Sequence, residues 1–342
     1  MPRVLQGDVL VLRVFLTVDT EVWPVAEGWP HAPLSANQGC DREIDVYLHG
    51  GEVDPRFGIA YQLATLTRYG LKATYFVDPL FSFALGMQPL ARVLRSICEN
   101  EQEVGLHMHP EWLTDPRCVG LPEFAGPCLW QYGVENQQRL MRVGLARLAE
   151  AGAGSVRAFR AGNYAANRAT LAALRETGIP IDTSLNACYA ESFPDLEGRE
   201  AIFAPSNVEE IVEFPVTSFV DRPPRGRRHL QLAACSLAET RYVLEQALAN
   251  GWSTVVIVMH SFELMRVGRF QNGGPATRSR LLVRRFERLC EYLADNRERM
   301  RTSHFSDLDL PSLQMSGRAA DIVSSPLRTR ARQVEQLISR YH

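Results

Sequence analysis

The sequence lacks the features that mark several protein classes. Its seven cysteines are widely scattered and include no Cys-x-x-Cys pair, which argues against a disulfide framework or a zinc ribbon and favours reduced thiols. Neither sign of charge is in excess, because 37 basic residues face 39 acidic ones. We therefore expect neither nucleic acid nor an anionic membrane as a partner. Internal repeats are missing too, so a repeat architecture is not expected.

Long apolar runs are absent as well. No stretch approaches the roughly 18 apolar residues that a transmembrane helix needs. The first apolar stretch, Val9 to Leu16, is interrupted by Arg13 and preceded by Asp8, and no small-residue cleavage site follows it before Asp19. We interpret this stretch as a core strand rather than a signal peptide, and we expect a cytoplasmic protein.

The length and the pattern of the chain favour one α/β barrel with additions. The 342 residues are 46% hydrophobic and 22% charged, ordinary values for a globular protein. Apolar strand-like runs alternate with helical patterns, as they do in βα units. The predicted strands are Val9 to Val18, Ala73 to Val77, Glu103 to His107, Val156 to Arg160, Ile179 to Asp182, Ile211 to Phe214 and Thr254 to His260. Seven strands predict a distorted (β/α)7-type barrel over residues 1–315.

The predicted helices lie between these strands, and glycine follows several of them, as is usual after the last turn of a helix. They are Ile59 to Tyr69, Leu90 to Glu99, Glu135 to Ala151, Arg168 to Thr177, a helix from the Ser236 cap to Asn250, and one from about Thr277 to Arg299. Residues 316–342 form a predicted C-terminal helical extension, which carries five arginines against two acidic residues. This tail either packs on the barrel or docks a partner or an anionic surface.

Two long segments depart from the βα pattern. Trp23 to Pro55 is rich in proline, glycine and tryptophan, and Thr114 to Trp130 contains three prolines. They follow the first and third predicted strands. Because loops after the C-terminal ends of barrel strands build the active site, we expect both segments to form walls for a substrate.

Two short strings place metal-binding side chains at positions i and i+2. Asp19 and Glu21 follow the first apolar run, and His107 and His109 follow the third. Side chains two apart on a strand point to the same face. A single acid or histidine at a strand end is usually a cap or a structural residue. Two pairs at one rim, however, would supply enough ligands for a divalent metal and leave one carboxylate as a base.

Three further polar residues lie at predicted strand ends. Arg160 precedes small residues, and its alternative role is a structural salt bridge; Asp182 could instead form an Asx-type turn. His260 ends the apolar run Val255 to Met259. A buried strand that ends in histidine is an unusual place for an imidazole without a role.

In this order, the five elements resemble the motifs of the polysaccharide deacetylase family, also called the NodB-homology or carbohydrate esterase 4 family, over roughly residues 9 to 310. The family pattern begins with Thr-Phe-Asp-Asp, in which the first Asp is the base and the second binds metal. Asp19 matches the base, but Thr20 stands at the second position. The resemblance therefore implies that Glu21, on the same strand face, replaces the missing ligand.

The other motifs match in part. His107 corresponds to the first of two family metal histidines four residues apart, but position 111 is Glu, so His109 is expected to substitute. Arg160 keeps the arginine of the third motif and would pair with Asp19 to keep it ionised. In the fourth motif, Asp182 corresponds to an acid that orients the catalytic histidine. His260 would be that histidine and would protonate the departing amine.

The resemblance implies a metal-dependent hydrolase that removes an N-acetyl or O-acetyl group from a sugar or glycan precursor, such as one used to build cell-surface polysaccharide. Zinc is the favoured metal, with Co, Mn or Ni as alternatives. Trp23, Asn163 and Trp112 are expected to bind the sugar. Two rival functions stay open: an amidohydrolase that acts on a cyclic amide or ureide, and a glycan-binding homologue that has lost catalysis. Nothing in the sequence indicates the oligomeric state.

Overall fold

Strands and helices alternate along most of the chain. The computed structural model describes residues 11–26, 28–30, 40–50, 57–222, 226–272, 274–313 and 321–341. The strands are β1 (Leu12–Thr20), β2 (Ala73–Val77), β3 (Glu103–Met108), β4 (Ala158–Ala161), β5 (Ile181–Asp182), β6 (Ser206–Val208), β7 (Ile211–Glu213), β8 (Ser218–Arg222), β9 (Gly226–His229), β10 (Thr254–His260) and β11 (Met300–Thr302).

The helices lie mostly between the parallel strands. They are α1 (Asp41–Ile44), α2 (Ile59–Tyr69), α3 (Phe81–Leu85), α4 (Met87–Glu99), α5 (Val134–Glu150), α6 (Arg168–Thr177), α7 (Leu237–Ala249), α8 (Val267–Gln271), α9 (Arg280–Asp295) and α10 (Pro326–Tyr341). None of the helices in the described ranges is long and apolar enough to cross a membrane.

Seven parallel strands form one curled sheet in the order β10-β1-β2-β3-β4-β5-β7, and β6 pairs antiparallel with β7 at the edge. Between β7 and β10, irregular segments continue the hydrogen bonding. The Thr217 N–H donates to the Val256 carbonyl at 3.3 Å, and the Val258 N–H donates to the Leu230 carbonyl at 2.9 Å. The predicted distorted (β/α)7-type barrel is therefore confirmed.

The interior of the barrel is apolar at one end and polar at the other. Phe15 on β1 packs inside with Phe76 and Val256, and Phe305 stacks on Phe15 with ring centroids 4.4 Å apart. Burying each such ring contributes roughly 1.5–3 kcal/mol. The segment around Phe305 thus fills the N-terminal end of the barrel. The C-terminal ends of the strands are left for polar side chains.

Most predicted elements agree with the structure. Ala73–Val77, Thr254–His260, Ile59–Tyr69 and Arg168–Thr177 have the predicted bounds. The long helix predicted from about Thr277 to Arg299 is shorter, because Ser279 caps its N-terminus by accepting the Leu282 N–H. Short strands such as β8, β9 and β11 were not predicted. The predicted start of the first strand, at residue 9, lies outside the described residues.

The C-terminal helix α10 packs beside the β8–β9 hairpin. Arg332 is buried and pairs with Asp221 at 2.9 Å and with Glu239 at 3.0 Å. The Thr329 hydroxyl donates to Asp221 at 2.6 Å. These contacts favour the interpretation in which the tail packs on the barrel. The predicted boundary at residue 315 stays a prediction, because residues 314–320 are not among those described.

Candidate metal centre and active site

The polar side chains meet at the C-terminal ends of β10, β1, β3 and β4, with β2 between β1 and β3. The β1–β10 register places Asp19 beside His260, and the β3–β4 register places His107 beside Arg160. A cavity of about 130 Å³ opens here, and its lining is Asp19, Glu21, Trp23, His107, His109, Ala161, Asn163, Tyr164, Tyr189, Gln231 and His260. The structure therefore brings together the two predicted i and i+2 pairs.

Glu21, His107 and His109 form a compact cluster of metal-binding atoms. All three are buried, and their ligand atoms lie within 4.8 Å of one another. Glu21 Oε2 is 3.3 Å from His107 Nε2 and 2.6 Å from His109 Nε2. The two Nε2 atoms are 3.1 Å apart. One carboxylate and two imidazoles of this kind suit zinc in a site with an open position.

The hydrogen bonds around the histidines favour a cation between them. His107 Nδ1 lies 2.7 Å from the Arg160 carbonyl, which can only accept, so Nδ1 carries the proton and Nε2 presents its lone pair. His109 Nδ1 faces Glu111 Oε2 at 3.3 Å, another acceptor. Both Nε2 atoms are thus available as ligands, in the arrangement that outer partners impose on metal-binding histidines. The residues present fit a divalent metal.

The pKa shifts of Glu21 and His109 also favour a cation in the cluster. Burial lowers the pKa of His109, but Glu21 and Glu111 outweigh it and hold that pKa well above its usual value. Burial raises the pKa of Glu21, but His109 and His107 outweigh it and hold that pKa well below its usual value. The cluster requires a positive charge, which a proton or a divalent metal can supply.

The small residues of the third motif pack against the cluster of metal-binding side chains. A Cβ atom at Gly162 would lie 2.6 Å from two atoms of the His109 ring, so glycine is needed there. Asn163 has a φ of +56°, a left-handed conformation that asparagine tolerates. Its side-chain amide donates to Glu111 Oε1 at 2.9 Å. Glu111 therefore connects the third motif to His109.

Asp19 lies beside the cluster of metal-binding side chains and pairs with a buried arginine. Arg160 Nη1 donates to Asp19 Oδ1 at 2.7 Å and to Thr17 Oγ1 at 2.9 Å, and its Nη2 donates to Thr183 Oγ1 at 3.2 Å. The guanidinium also lies 4.6 Å from the centre of the Phe76 ring. The predicted pairing of Arg160 with Asp19 is present, as a charge-assisted hydrogen bond.

His260 lines the same cavity, with 24% of its side chain exposed. Its Nε2 is 3.9 Å from Glu21 Oε1, and its Nδ1 is 3.5 Å from Glu263 Oε2. Burial lowers the pKa of His260, but the nearby Glu263 and Glu21 carboxylates outweigh it and raise that pKa to about 9. His260 is therefore protonated at neutral pH.

Asp182 is not among the residues that line the cavity with His260. Ile181 points into the barrel, so the next side chain points to the opposite face. There Asp182 Oδ1 accepts a hydrogen bond from Ser184 Oγ at 2.6 Å. Its neighbour across the β5–β7 register is Glu213, and burial raises the pKa of both carboxyls. The prediction that Asp182 orients His260 is wrong.

The predicted sugar-binding residues divide into two groups. Trp23 lines the cavity, donates its indole N–H to Glu21 Oε1 at 2.8 Å and contacts His109 edge to face at 4.6 Å. Asn163 lines the cavity too. Trp112 is only 1% exposed and packs against Trp29. The short 3-10 turn after Pro110 directs it into the core, so the prediction that Trp112 binds substrate is wrong.

The structure adds residues that the sequence did not single out. Tyr164 and Tyr189 line the cavity with ring centroids 5.0 Å apart, and Tyr189 is 38% exposed. Asp78 follows β2, is fully buried, and has one oxygen without a hydrogen-bond partner among the described residues; burial raises its pKa to about 7 although His109 opposes this. Asp78 directly follows a predicted strand, which was a usable signal. The two tyrosines had none.

Comparison with known proteins gives matches in structure only. No family model and no curated protein matches this sequence. A proposed polysaccharide deacetylase from Mycobacterium smegmatis is 14% identical, with 94% of this chain and 98% of that chain covered and a TM-score of 0.52. A family 4 carbohydrate esterase from Streptomyces lividans is also 14% identical, with 91% and 97% covered and a TM-score of 0.43.

A third structure, the peptidoglycan deacetylase PdaC from Bacillus subtilis, is 10% identical, with 98% and 100% covered and a TM-score of 0.39. The Mycobacterium structure, the one of these three with a TM-score above 0.5, establishes a common fold and nothing more about activity. The chain therefore has the NodB-like barrel fold of the carbohydrate esterase 4 polysaccharide deacetylases.

Proposed function

We propose that this protein is a metal-dependent hydrolase that removes an acetyl group, N-linked in preference to O-linked, from a sugar or glycan precursor. The observation that carries this proposal is the convergence of Glu21, His107 and His109 beside Asp19 and His260 in one small cavity. A set of metal ligands, a carboxylate as base and a histidine as proton donor are the components that metal-assisted amide hydrolysis requires.

Glu21, His107 and His109 would hold the metal. Zinc suits one carboxylate and two imidazoles, and Co, Mn or Ni can accept the same donors. When bound, the metal supplies Lewis-acid polarisation of the substrate carbonyl and of the attacking water. The remaining steps are carried out by side chains of this chain.

Asp19 takes the proton of the water as the water oxygen attacks the acetyl carbon. Arg160, 2.7 Å away, fixes the direction of the carboxylate. His260 then gives its proton to the departing nitrogen, and the Glu263 carboxylate, 3.5 Å from its Nδ1, favours the protonated ring. Positioned acids and bases of this kind each contribute on the order of 10² to 10⁴ in rate.

The size of the cavity favours a small acyl group. Its volume of about 130 Å³ is well below the roughly 300–1,000 Å³ of sites that enclose a whole drug-sized ligand. An acetyl group would enter, while the sugar would lie at the mouth between Trp23 and Tyr189. Flat aromatic faces of this kind pack well against the apolar faces of sugar rings.

We keep the cytoplasmic location and the role in cell-surface polysaccharide synthesis as parts of the proposal. The seven cysteines are free thiols, which is compatible with a reducing compartment. A sugar precursor linked to a nucleotide or a lipid carrier is then a more accessible substrate than an assembled wall polymer.

The test is metal analysis of the purified protein beside a substrate screen. We expect about one zinc per chain, in line with a three-ligand site, and acetate release from N-acetylated sugars or their nucleotide-linked forms. Hydrolysis of cyclic amides or ureides instead would establish the amidohydrolase alternative. A metal-free protein that binds glycans without hydrolysing them would establish the inactive homologue.

A further inference from the structure

Glu263 is a buried carboxylate that none of the sequence motifs includes. It lies three residues after His260, in the turn that follows β10, and is 6% exposed. Its Oε2 accepts the backbone N–H of His260 at 2.8 Å. Its Oε1 accepts the backbone N–H of Ala233 at 2.6 Å and the side-chain amide of Gln231 at 3.1 Å. Donors from two separate segments thus fix both oxygens.

The fixed carboxylate faces the imidazole of His260. Glu263 Oε2 is 3.5 Å from His260 Nδ1, and Gln231 Nε2 is 3.3 Å from the same atom. Gln231 Oε1 lies 2.7 Å from His229 Nε2, which turns the amide nitrogen toward His260. Because an amide nitrogen only donates, Gln231 cannot accept a proton from Nδ1 of His260, whereas the Glu263 carboxylate can.

We propose that Glu263 is the positioning residue for His260, and that it holds the Nδ1 proton so that Nε2 presents the other proton to the leaving nitrogen. This proposal rests on the proposed function, and it assigns to Glu263 the role that the sequence gave to Asp182. A carboxylate behind a catalytic imidazole fixes its tautomer and orientation.

The proton balance of the step is complete. The water oxygen bonds to the acetyl carbon, and Asp19 takes the proton that the water loses. The carbon–nitrogen bond then breaks, its electron pair stays on nitrogen, and the nitrogen takes the Nε2 proton of His260. His260 is left neutral, with its Nδ1 proton still on the side of Glu263, which stays a carboxylate. Exchange with solvent returns a proton to His260 and removes one from Asp19.

The experiment compares two leaving groups in the full-length, metal-loaded enzyme. An N-acetylated sugar releases an amine, which needs a proton, whereas p-nitrophenyl acetate releases a phenolate, which does not. For Glu263→Gln we expect kcat on the sugar to fall on the order of 10²-fold, with KM nearly unchanged and with activity on the ester retained. Asp182→Asn is the matched control, and it should leave the ratio of the two activities at the wild-type value.

Equal loss on both substrates in a Glu263→Gln enzyme that is folded and metal-loaded would show a merely structural role and overturn the proposal. A selective loss in Asp182→Asn would do the same. If Glu263→Gln does not fold, Glu263→Asp withdraws the carboxylate by one methylene and should show the same selectivity at smaller size. Equal activity losses in that variant would also contradict the positioning role.

A spectroscopic measurement separates this proposal from the proposed function. In protein labelled with ¹⁵N-histidine, the ring nitrogen shifts of His260 report which nitrogens carry protons and whether Nδ1–H has an acceptor. We expect the Nδ1 signal to change in Glu263→Gln and to stay at the wild-type position in Asp182→Asn. An unchanged signal in Glu263→Gln would overturn the proposal even if the enzyme proves to be a deacetylase. A changed signal in a protein without deacetylase activity would locate the failure in the proposed function alone.

Discussion

Replacing Glu111 by Gln should weaken metal binding although Glu111 is not itself one of the three clustered ligands. Its Oε2 lies 3.3 Å from His109 Nδ1, and its Oε1 accepts from Asn163 at 2.9 Å. A glutamine has one oxygen for these two donors, so one contact is lost. Hydrogen bonds to charged groups are worth about 1.5–3 kcal/mol. This corresponds to a loss of about 10- to 150-fold in affinity, since each 1.4 kcal/mol is tenfold.

The assay is competition for zinc against a chromophoric chelator, with a thermal melt to confirm folding. Glu123→Gln is the matched control, because Glu123 is an exposed carboxylate in the same loop, and it should bind zinc as the wild type does. The range also agrees with the roughly 10- to 100-fold effect usual for outer partners of metal-binding histidines. A Glu111→Gln protein with wild-type affinity would refute the claim that Glu111 orients His109.

Three further outcomes are expected. Asp19→Asn should retain the metal yet lose a factor on the order of 10² to 10⁴ in turnover, whereas His107→Ala should lose both the metal and the activity. Metal analysis and acetate release measure the two effects. A normally active Asp19→Asn enzyme would exclude Asp19 as the base. Burial and the neighbouring Asp182 carboxyl hold the pKa of Glu213 well above its usual value, so Glu213 keeps a proton that the unfolded chain releases, and the wild type should lose stability as pH rises above about 4.3, the ordinary pKa of Glu. Glu213→Gln places an amide hydrogen where this proton lies and should lose less stability in denaturant unfolding between pH 6 and 9; parallel curves would contradict a protonated Glu213. Arg332→Ala should lower the free energy of unfolding by about 3–5 kcal/mol, because it leaves two buried carboxylates without this partner. The control, Arg330→Ala at an exposed position, should change that free energy by no more than about 0.5 kcal/mol. Equal effects of the two variants in urea unfolding would contradict the buried network.

The fold was predictable because its main elements carry strong local signals. β10 is an unbroken apolar run, and α6 has an Asn167 cap and ends before Gly178. Short strands such as β6, with three residues, are held by pairing with a neighbour, and a three-residue window has too few positions to show a period. The barrel closure at Thr217 could not be predicted either, because its hydrogen bonds join irregular segments that are distant in sequence.

The site was predictable where a strand end fixes the direction of a side chain, and it was not predictable elsewhere. The i and i+2 rule correctly grouped His107 with His109. It could not tell which face of the two-residue strand β5 carries Asp182, because Ile181 and Thr183 would be acceptable on either face of a buried strand. Glu263 lies in a turn, where no periodicity relates sequence position to direction.

At two positions where the chain departs from the motifs that it resembles, a nearby side chain supplies the same chemical group, which supports the proposed hydrolase. Where the family has two histidines four residues apart, this chain has histidine at 109 and glutamate at 111, and Glu111 contacts the His109 ring. The position of the histidine changed, but the number of imidazoles did not. Glu21, one residue after the position of the second acid in the family motif, likewise brings its carboxylate within 3.3 Å of His107.

The same compensation holds for the proton donor. Asp182 faces away from the cavity, and a different carboxylate, Glu263, lies behind His260. Burying a charged side chain without a partner costs several kcal/mol, so the charged groups buried at this cavity need partners there. At the cavity, Glu21 contacts both histidines and Arg160 pairs with Asp19 at 2.7 Å, whereas Asp78 keeps one oxygen without a partner among the described residues. These pairs fix the directions of the side chains on which the proposed hydrolysis depends.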